Sequence, residues 1–166
     1  MLKYIFLYLL MATISCGEPS VLDSSTLRRM PKNPKWRLKG YLNNSLKIID
    51  VNCIYINIDK KYNSNSFLRF WKNGRVMQGF GDVKNYFRHA NSFFLSNPGY
   101  YVILNGNTIL TEFFGRTGYK VDYFYEFYKI TGDNIILTQS RFYTDKSRKI
   151  VFKKSCSEKL TTNPDW

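Results

Sequence analysis

Few residues in this chain have a type and spacing that could do chemistry, and Cys16 is foremost among them. It ends the stretch MLKYIFLYLLMATISC, in which Lys3 precedes an almost unbroken apolar run from Tyr4 to Ile14. A thiol in that place is a structural group, the remnant of a cleaved leader, or the point where a lipid is attached. Cys53 and Cys156 are the other two thiols. In an oxidising compartment they are candidates for one disulfide, which would join an early strand to the segment after the last one. Such a bridge closes a long loop and is worth up to ~4–5 kcal/mol by loop entropy. Two buried free thiols are the alternative.

Acid–base chemistry has less to draw on. Glu112, Asp122 and Glu126 fall on or beside predicted strands, and Glu126 alternates with Phe124 and Tyr128. If that face points into a barrel, Glu126 is an interior acid that needs a partner such as an arginine. Otherwise it is an outward glutamate on a tyrosine-rich strand. His89 is the only histidine and has no nucleophile placed beside it by motif, so it reads as a solvated side chain. The chain has no glycine-rich phosphate loop, no paired-cysteine metal spacing and no Gly-x-Ser-x-Gly elbow. No catalytic residue, metal site or cofactor is therefore expected, and the chain does not read as an enzyme.

The run Tyr4 to Ile14 is too short to cross a hydrocarbon core, which takes ~20 residues as a helix. It fits the hydrophobic region of a signal peptide. Thr13-Ile14-Ser15-Cys16-Gly17 resembles the bacterial lipobox, with Thr13 where leucine is usual. The resemblance implies diacylglycerol on the Cys16 sulfur, cleavage before it and acylation of the new amino group, which together anchor a protein stably. Gly17 resembles the residue that sorts lipoproteins to the outer membrane in some bacteria. Ordinary secretion, with Ser15 and Gly17 as the small residues of the cleavage site, is the other reading. The implied organisation is a cleaved signal peptide over 1–15, lipidated Cys16 with a flexible tether through 35, a barrel domain over 36–156 and a tail over 157–166. The place is the cell envelope, on the outer membrane, facing the periplasm or the cell surface.

The formal charge is +13, and +12 without residues 1–15. Behind an export signal this points to anionic lipid headgroups, lipopolysaccharide or acidic glycans rather than nucleic acid. General solubility is the plainer reading of the same excess.

The elements that position these groups are strands. In FLRFWKNGRVMQGF (67–80), Asn73-Gly74 is a hairpin signal. A two-residue loop there pairs Trp71 with Val76, Phe70 with Met77 and Leu68 with Gly79, placing Leu68, Phe70 and Met77 on one face. YVILNGNTILT (101–111) and FYKITGDNIILT (127–138) echo one another, with Gly106 and Gly132 at their turns. Gly115 to Gly118 mark another turn. WRLKGYL (36–42), IIDVNCIYINI (48–58) and KIVFKK (149–154) complete about eight strands. Val83, Phe87, Ala90 and Phe94 lie near helical spacing, so a short helix or lid is expected over 82–95, ended by Asn97-Pro98-Gly99. Residues 17–35 carry three prolines and no apolar period, which predicts a flexible tether. A short-linked antiparallel meander of eight strands closes most economically into an all-β barrel, because closure removes its edges.

Aromatic side chains are the other telling feature. VDYFYEFYK (121–129) holds five of them, with Tyr123, Tyr125 and Phe127 on one face and Phe124 and Tyr128 on the other. One face must line a cavity or pack on a further element. Lys35-Trp36-Arg37-Leu38-Lys39-Gly40-Tyr41 resembles the opening strand of lipocalin-like (calycin) barrels, and Val121-Asp122-Tyr123 is similar to their Thr-Asp-Tyr motif. The Gly-x-Trp order of the family and its closing helix are absent. The resemblance covers the architecture of 36–154 and implies that a small apolar or amphipathic ligand binds inside the barrel. Trp36, Phe70, Met77, Tyr125 and Phe127 would line that cavity, and Arg69 and Arg141 would meet an anionic head. A barrel of this size can also be filled by its own side chains. The chain would then be a non-enzymatic envelope interaction protein (an inhibitor, an immunity-type lipoprotein or an assembly accessory) working through its exterior or the 81–99 segment.

Overall fold

A computed structural model describes residues 17–40, 48–59, 65–140 and 149–166. Cys16 and Arg141 lie outside the described residues. Among the described residues, ten strands and one short α-helix follow one another as β1 (Ser20–Asp23), β2 (Arg28–Pro31), β3 (Ile54–Asn57), β4 (Ser66–Phe70), β5 (Arg75–Phe80), α1 (Tyr86–Ser92), β6 (Ser96–Leu104), β7 (Thr108–Thr117), β8 (Lys120–Thr131), β9 (Asn134–Ser140) and β10 (Ile150–Ser155). Strands β3 to β10 pair in sequence order, and β10 returns antiparallel to β3, closing an eight-stranded barrel. This is the all-β meander expected of a lipocalin-like barrel. Glycine at positive φ supports three of its turns, at Gly106, Gly118 and Gly132. The turn expected over Gly115 to Gly118 is narrower, because Gly115 lies within β7 and packs on Asn97.

The Asn73-Gly74 hairpin forms in a different register. Trp71 N–H donates to the Arg75 carbonyl (2.9 Å), and Gly74 N–H donates to the Trp71 carbonyl (3.2 Å). Lys72, Asn73 and Gly74 thus make a three-residue loop, with Gly74 at φ +80°, the turn-plus-bulge alternative to a two-residue loop. Phe70 now pairs with Val76, Arg69 with Met77 and Leu68 with Gln78. A slip of one residue sends a side chain to the other face of a sheet. Leu68, Phe70 and Val76 accordingly face inward, and Met77 joins Phe67 and Trp71 outside.

Two apolar clusters result. The first draws buried residues from every barrel strand, including Tyr55, Phe70, Tyr101, Phe113, Phe124, Tyr128, Ile135 and Phe152, and fills the interior. The second lies on the outer wall, where Ile54, Phe67, Met77 and Tyr100 are covered by Tyr86, Phe87 and Ala90 of α1 and by Trp166. The helix foreseen over 82–95 is therefore present, and it lies along the wall. It ends where Phe93 and Leu95 take positive φ; Asn97-Pro98-Gly99 belongs to β6.

Two expectations about the first forty residues are corrected. The segment 17–35 is not a free tether: β1 and β2 form a hairpin, and β2 packs against β6 and β7. Trp36–Gly40 is not the opening strand either, since the barrel begins at Ile54. Prolines and lack of period, read as flexibility, here mark a strap held by partners far along the chain. Cys53 and Cys156 are bonded, with Cα atoms 4.5 Å apart. They flank β3 and β10, so the bridge clamps the seam at which the barrel closes.

Candidate functional site

The barrel interior is packed with side chains. Phe70, Tyr101, Phe113 and Tyr128 are all 0 % exposed, and an eight-stranded barrel is just wide enough for side chains to fill. Glu126 sits among them, 2 % exposed. Among the described residues, no arginine meets its carboxylate. Tyr128 donates its hydroxyl to Oε2, Ser140 Oγ donates to Oε1 at 2.7 Å, and Thr111 Oγ1 donates to the Glu126 carbonyl at 3.2 Å. Burial pushes the Glu126 carboxyl up, and the two hydroxyl donors pull partly the other way. The inward orientation follows from the strand alternation, and a bulge between Phe127 and Tyr128 carries Ser140 to the same side.

The outer wall holds the other buried charges, and each secures an outlying segment. Glu112, 1 % exposed, accepts from the Arg37 and Leu38 backbone N–H groups (2.8 and 2.9 Å) and from the Tyr125 hydroxyl (2.7 Å). Trp36, held there, packs edge-on to Tyr123 and against Tyr100. Arg28 pairs with Asp165 through two bonds of 2.9 and 3.1 Å and lies over the Phe93 and Trp166 rings. Trp166 donates its indole N–H to the Gly99 carbonyl (3.1 Å).

Arg69 differs from these. It is 3 % exposed, and its partners are neutral: Nη1 donates to the Ala90 carbonyl (2.6 Å) and Thr162 Oγ1 (2.8 Å), Nη2 to the Thr162 carbonyl (2.8 Å). Its guanidinium carbon lies 4.4 Å from the Trp71 ring centroid, and Nε has no partner. Burial lowers its pKa to about 10, so it stays cationic at neutral pH. No carboxylate among the described residues pairs with it. The two bonds to Thr162 occupy the edge between Nη1 and Nη2, which leaves the Nε edge without an acceptor. Arg69 and Trp71 line a cleft of about 280 Å³ with Asn52, Lys72, Asn73 and Asn163. A larger opening of about 490 Å³ adjoins the same barrel end, lined by Asp50, Tyr55, Lys72 and the Asp133–Lys154 ion pair. Chemically, the cleft offers the exposed Lys72 ammonium, backed by the buried Arg69 guanidinium, with an indole and several amides, which suits a polar or anionic group.

The cavity residues expected from the sequence do not assemble. Phe70 alone of the described ones faces inward, as part of the packed core. Trp36, Met77 and Arg69 belong to the outer wall. Tyr125 and Phe127 line a groove of about 350 Å³ with Tyr123 and Gln139. The alternation that correctly separates Tyr125 and Phe127 from Phe124 does not say which set is inside. Nothing in the sequence groups Asn52, Asn73 and Asn163 into one cleft, because they meet across three distant segments. No known protein family matches the chain, and neither curated proteins nor solved structures give a match.

Proposed function

We propose that this chain is a non-enzymatic cell-envelope protein, lipid-anchored through Cys16, that acts by binding a partner on its outer surface. The observation that carries the reading is the filled interior: the rings of Phe70, Tyr101, Phe113 and Tyr128 take the space a carried ligand would need. The barrel then serves as a rigid frame. Its recognition surface is the cleft around Arg69 and Trp71, and the partner is an anionic envelope component, in keeping with the formal charge of +12 that remains without residues 1–15.

Native mass spectrometry of the purified protein, with titration of a fatty acid or a hydrophobic dye, tests the frame. No bound species and no uptake are expected, and stoichiometric uptake would overturn the reading in favour of a carrier. Cross-linking in the native envelope tests the surface. Lys72→Glu, at an exposed cleft residue, is expected to abolish recovery of the partner, and unchanged recovery removes the cleft from consideration. Loss of acyl labelling and of membrane partition in Cys16→Ala is the expected sign of the anchor.

A further inference from the structure

The two ends of the barrel differ in character. One end carries the turns Lys72–Gly74, Asn105–Asn107 and Gly132–Asp133, made of polar residues and glycine, with Ile48 (38 % exposed) and Leu104 (36 %) as the exposed large apolar side chains beside them. At the other end lie the Gly118–Tyr119 turn, the end of β5 at Phe80, the start of β6 after Leu95, and Ile58 just past β3. Large apolar side chains are exposed there: Tyr119 is 105 % exposed, Ile58 51 %, Leu95 40 % and Phe80 36 %. Leu27, also exposed, belongs to the same end, because Leu95 N–H donates to the Thr26 carbonyl at 2.8 Å. Tyr119 stands between Arg116, which is exposed, and Lys120. A tyrosine flanked by cations at a hairpin tip suits the level of lipid headgroups, where its ring is buried and its hydroxyl stays wet.

The chain enters at this end. Glu18 N–H donates to the Val121 carbonyl at 2.9 Å, and Gly17 lies so close to Val121 that a side chain there would strike its backbone. Cys16 is the next residue, so an acyl chain on it would emerge within a residue or two of the Tyr119 turn. Residues 17–36 form no leash that lets the domain swing away, since β1 is paired with β2, and β2 and Trp36 are bound to the wall.

We propose that this apolar rim, with Tyr119 at its tip, docks on the lipid bilayer and fixes the orientation of the barrel, leaving the polar turns and the Arg69 cleft pointing away from the membrane. The inference rests on acylation of Cys16. Attachment by lipid supplies proximity, and the rim supplies the second, weaker contact that sets the angle. Membrane insertion of an exposed aromatic needs no change in the fold.

The experiment uses the full acylated chain in phosphatidylethanolamine–phosphatidylglycerol vesicles. Nitroxide spin labels are placed at Tyr119→Cys, Leu95→Cys and, at the opposite end, Asn107→Cys. The native thiols are bridged or acylated, so each new cysteine is the one labelled. Flotation reports attachment; collision with oxygen against an aqueous nickel complex reports depth. Labels at 119 and 95 are expected to shift toward oxygen on vesicle binding, with that at 107 staying nickel-accessible. A chain that floats with all three labels equally open to nickel overturns the docking rim and leaves the anchor standing. A chain that does not float overturns both.

Discussion

Reducing the Cys53–Cys156 bridge perturbs the protein at the point where its barrel closes. The bridge spans a sequence separation of 103 residues, and the chain-entropy relation for a loop of that length gives about 4.7 kcal/mol of stabilisation at 25 °C. In the folded state the cost of losing it is small, because β3 and β10 remain paired from Ile54–Ser155 to Asn57–Phe152 and the cysteines lie just outside that ladder. The effect thus falls on the unfolded chain, which becomes free to expand. Urea unfolding of the wild type and of Cys53→Ala/Cys156→Ala, followed by tryptophan fluorescence, measures it. The variant is expected to lose about 4–5 kcal/mol while its denaturant slope rises, since an uncrosslinked chain exposes more surface. A loss below about 1 kcal/mol with an unchanged slope would refute the loop-entropy argument and mean that the denatured chain keeps β3 and β10 together without the bond.

Three further outcomes follow from the packing. Burial raises the Glu126 carboxyl above its ordinary 4.5, so the folded state binds that proton more tightly than the unfolded chain. Its contribution is most favourable below pH 4.5 and declines as pH rises to the folded value, by at most about 1.4 kcal/mol per pH unit. Glu126→Gln removes the decline, so the variant should gain stability relative to wild type between urea titrations at pH 4 and pH 8; an equal difference at both pH values would contradict this. Trp166→Ala removes a ring packed on Trp71 and Phe93 together with its indole bond to the Gly99 carbonyl, and is expected to cost about 3 kcal/mol in the same assay. Gly79→Ala drives a methyl into the Phe67 ring and should cost about 1–3 kcal/mol, measurable as a lowered melting temperature.

Legibility differed by kind of feature. The turns over Asn105–Asn107 and Gly132–Asp133 were readable because positive φ is a local demand that glycine and asparagine meet. The Asn73-Gly74 turn was readable too, but not its loop length, and that one residue moved Met77 from the core to the wall. Glu126 could be assigned to the face of Phe124 and Tyr128, whereas the choice between inside and outside required the closed barrel. Arg69 was legible as a cation that could meet an anionic head, but not in its place: it lies on the outer wall, where Thr162 and Ala90 arrive from distant parts of the chain to enclose it.

By itself the sequence determined what depends on neighbours: strand periodicity, turn positions, the short helix, and hence an antiparallel meander whose eight strands must close. It also left Cys53 and Cys156 as the natural pair once Cys16 is set apart. Tertiary structure alone decided which face of each strand points inward, that the interior is filled, and that residues 17–40 and 157–166 bind the outer wall. The reason is physical. Alternation is symmetric between the two faces of a sheet, and a contact such as Arg28–Asp165, across 137 residues, leaves no periodic trace in either segment that makes it.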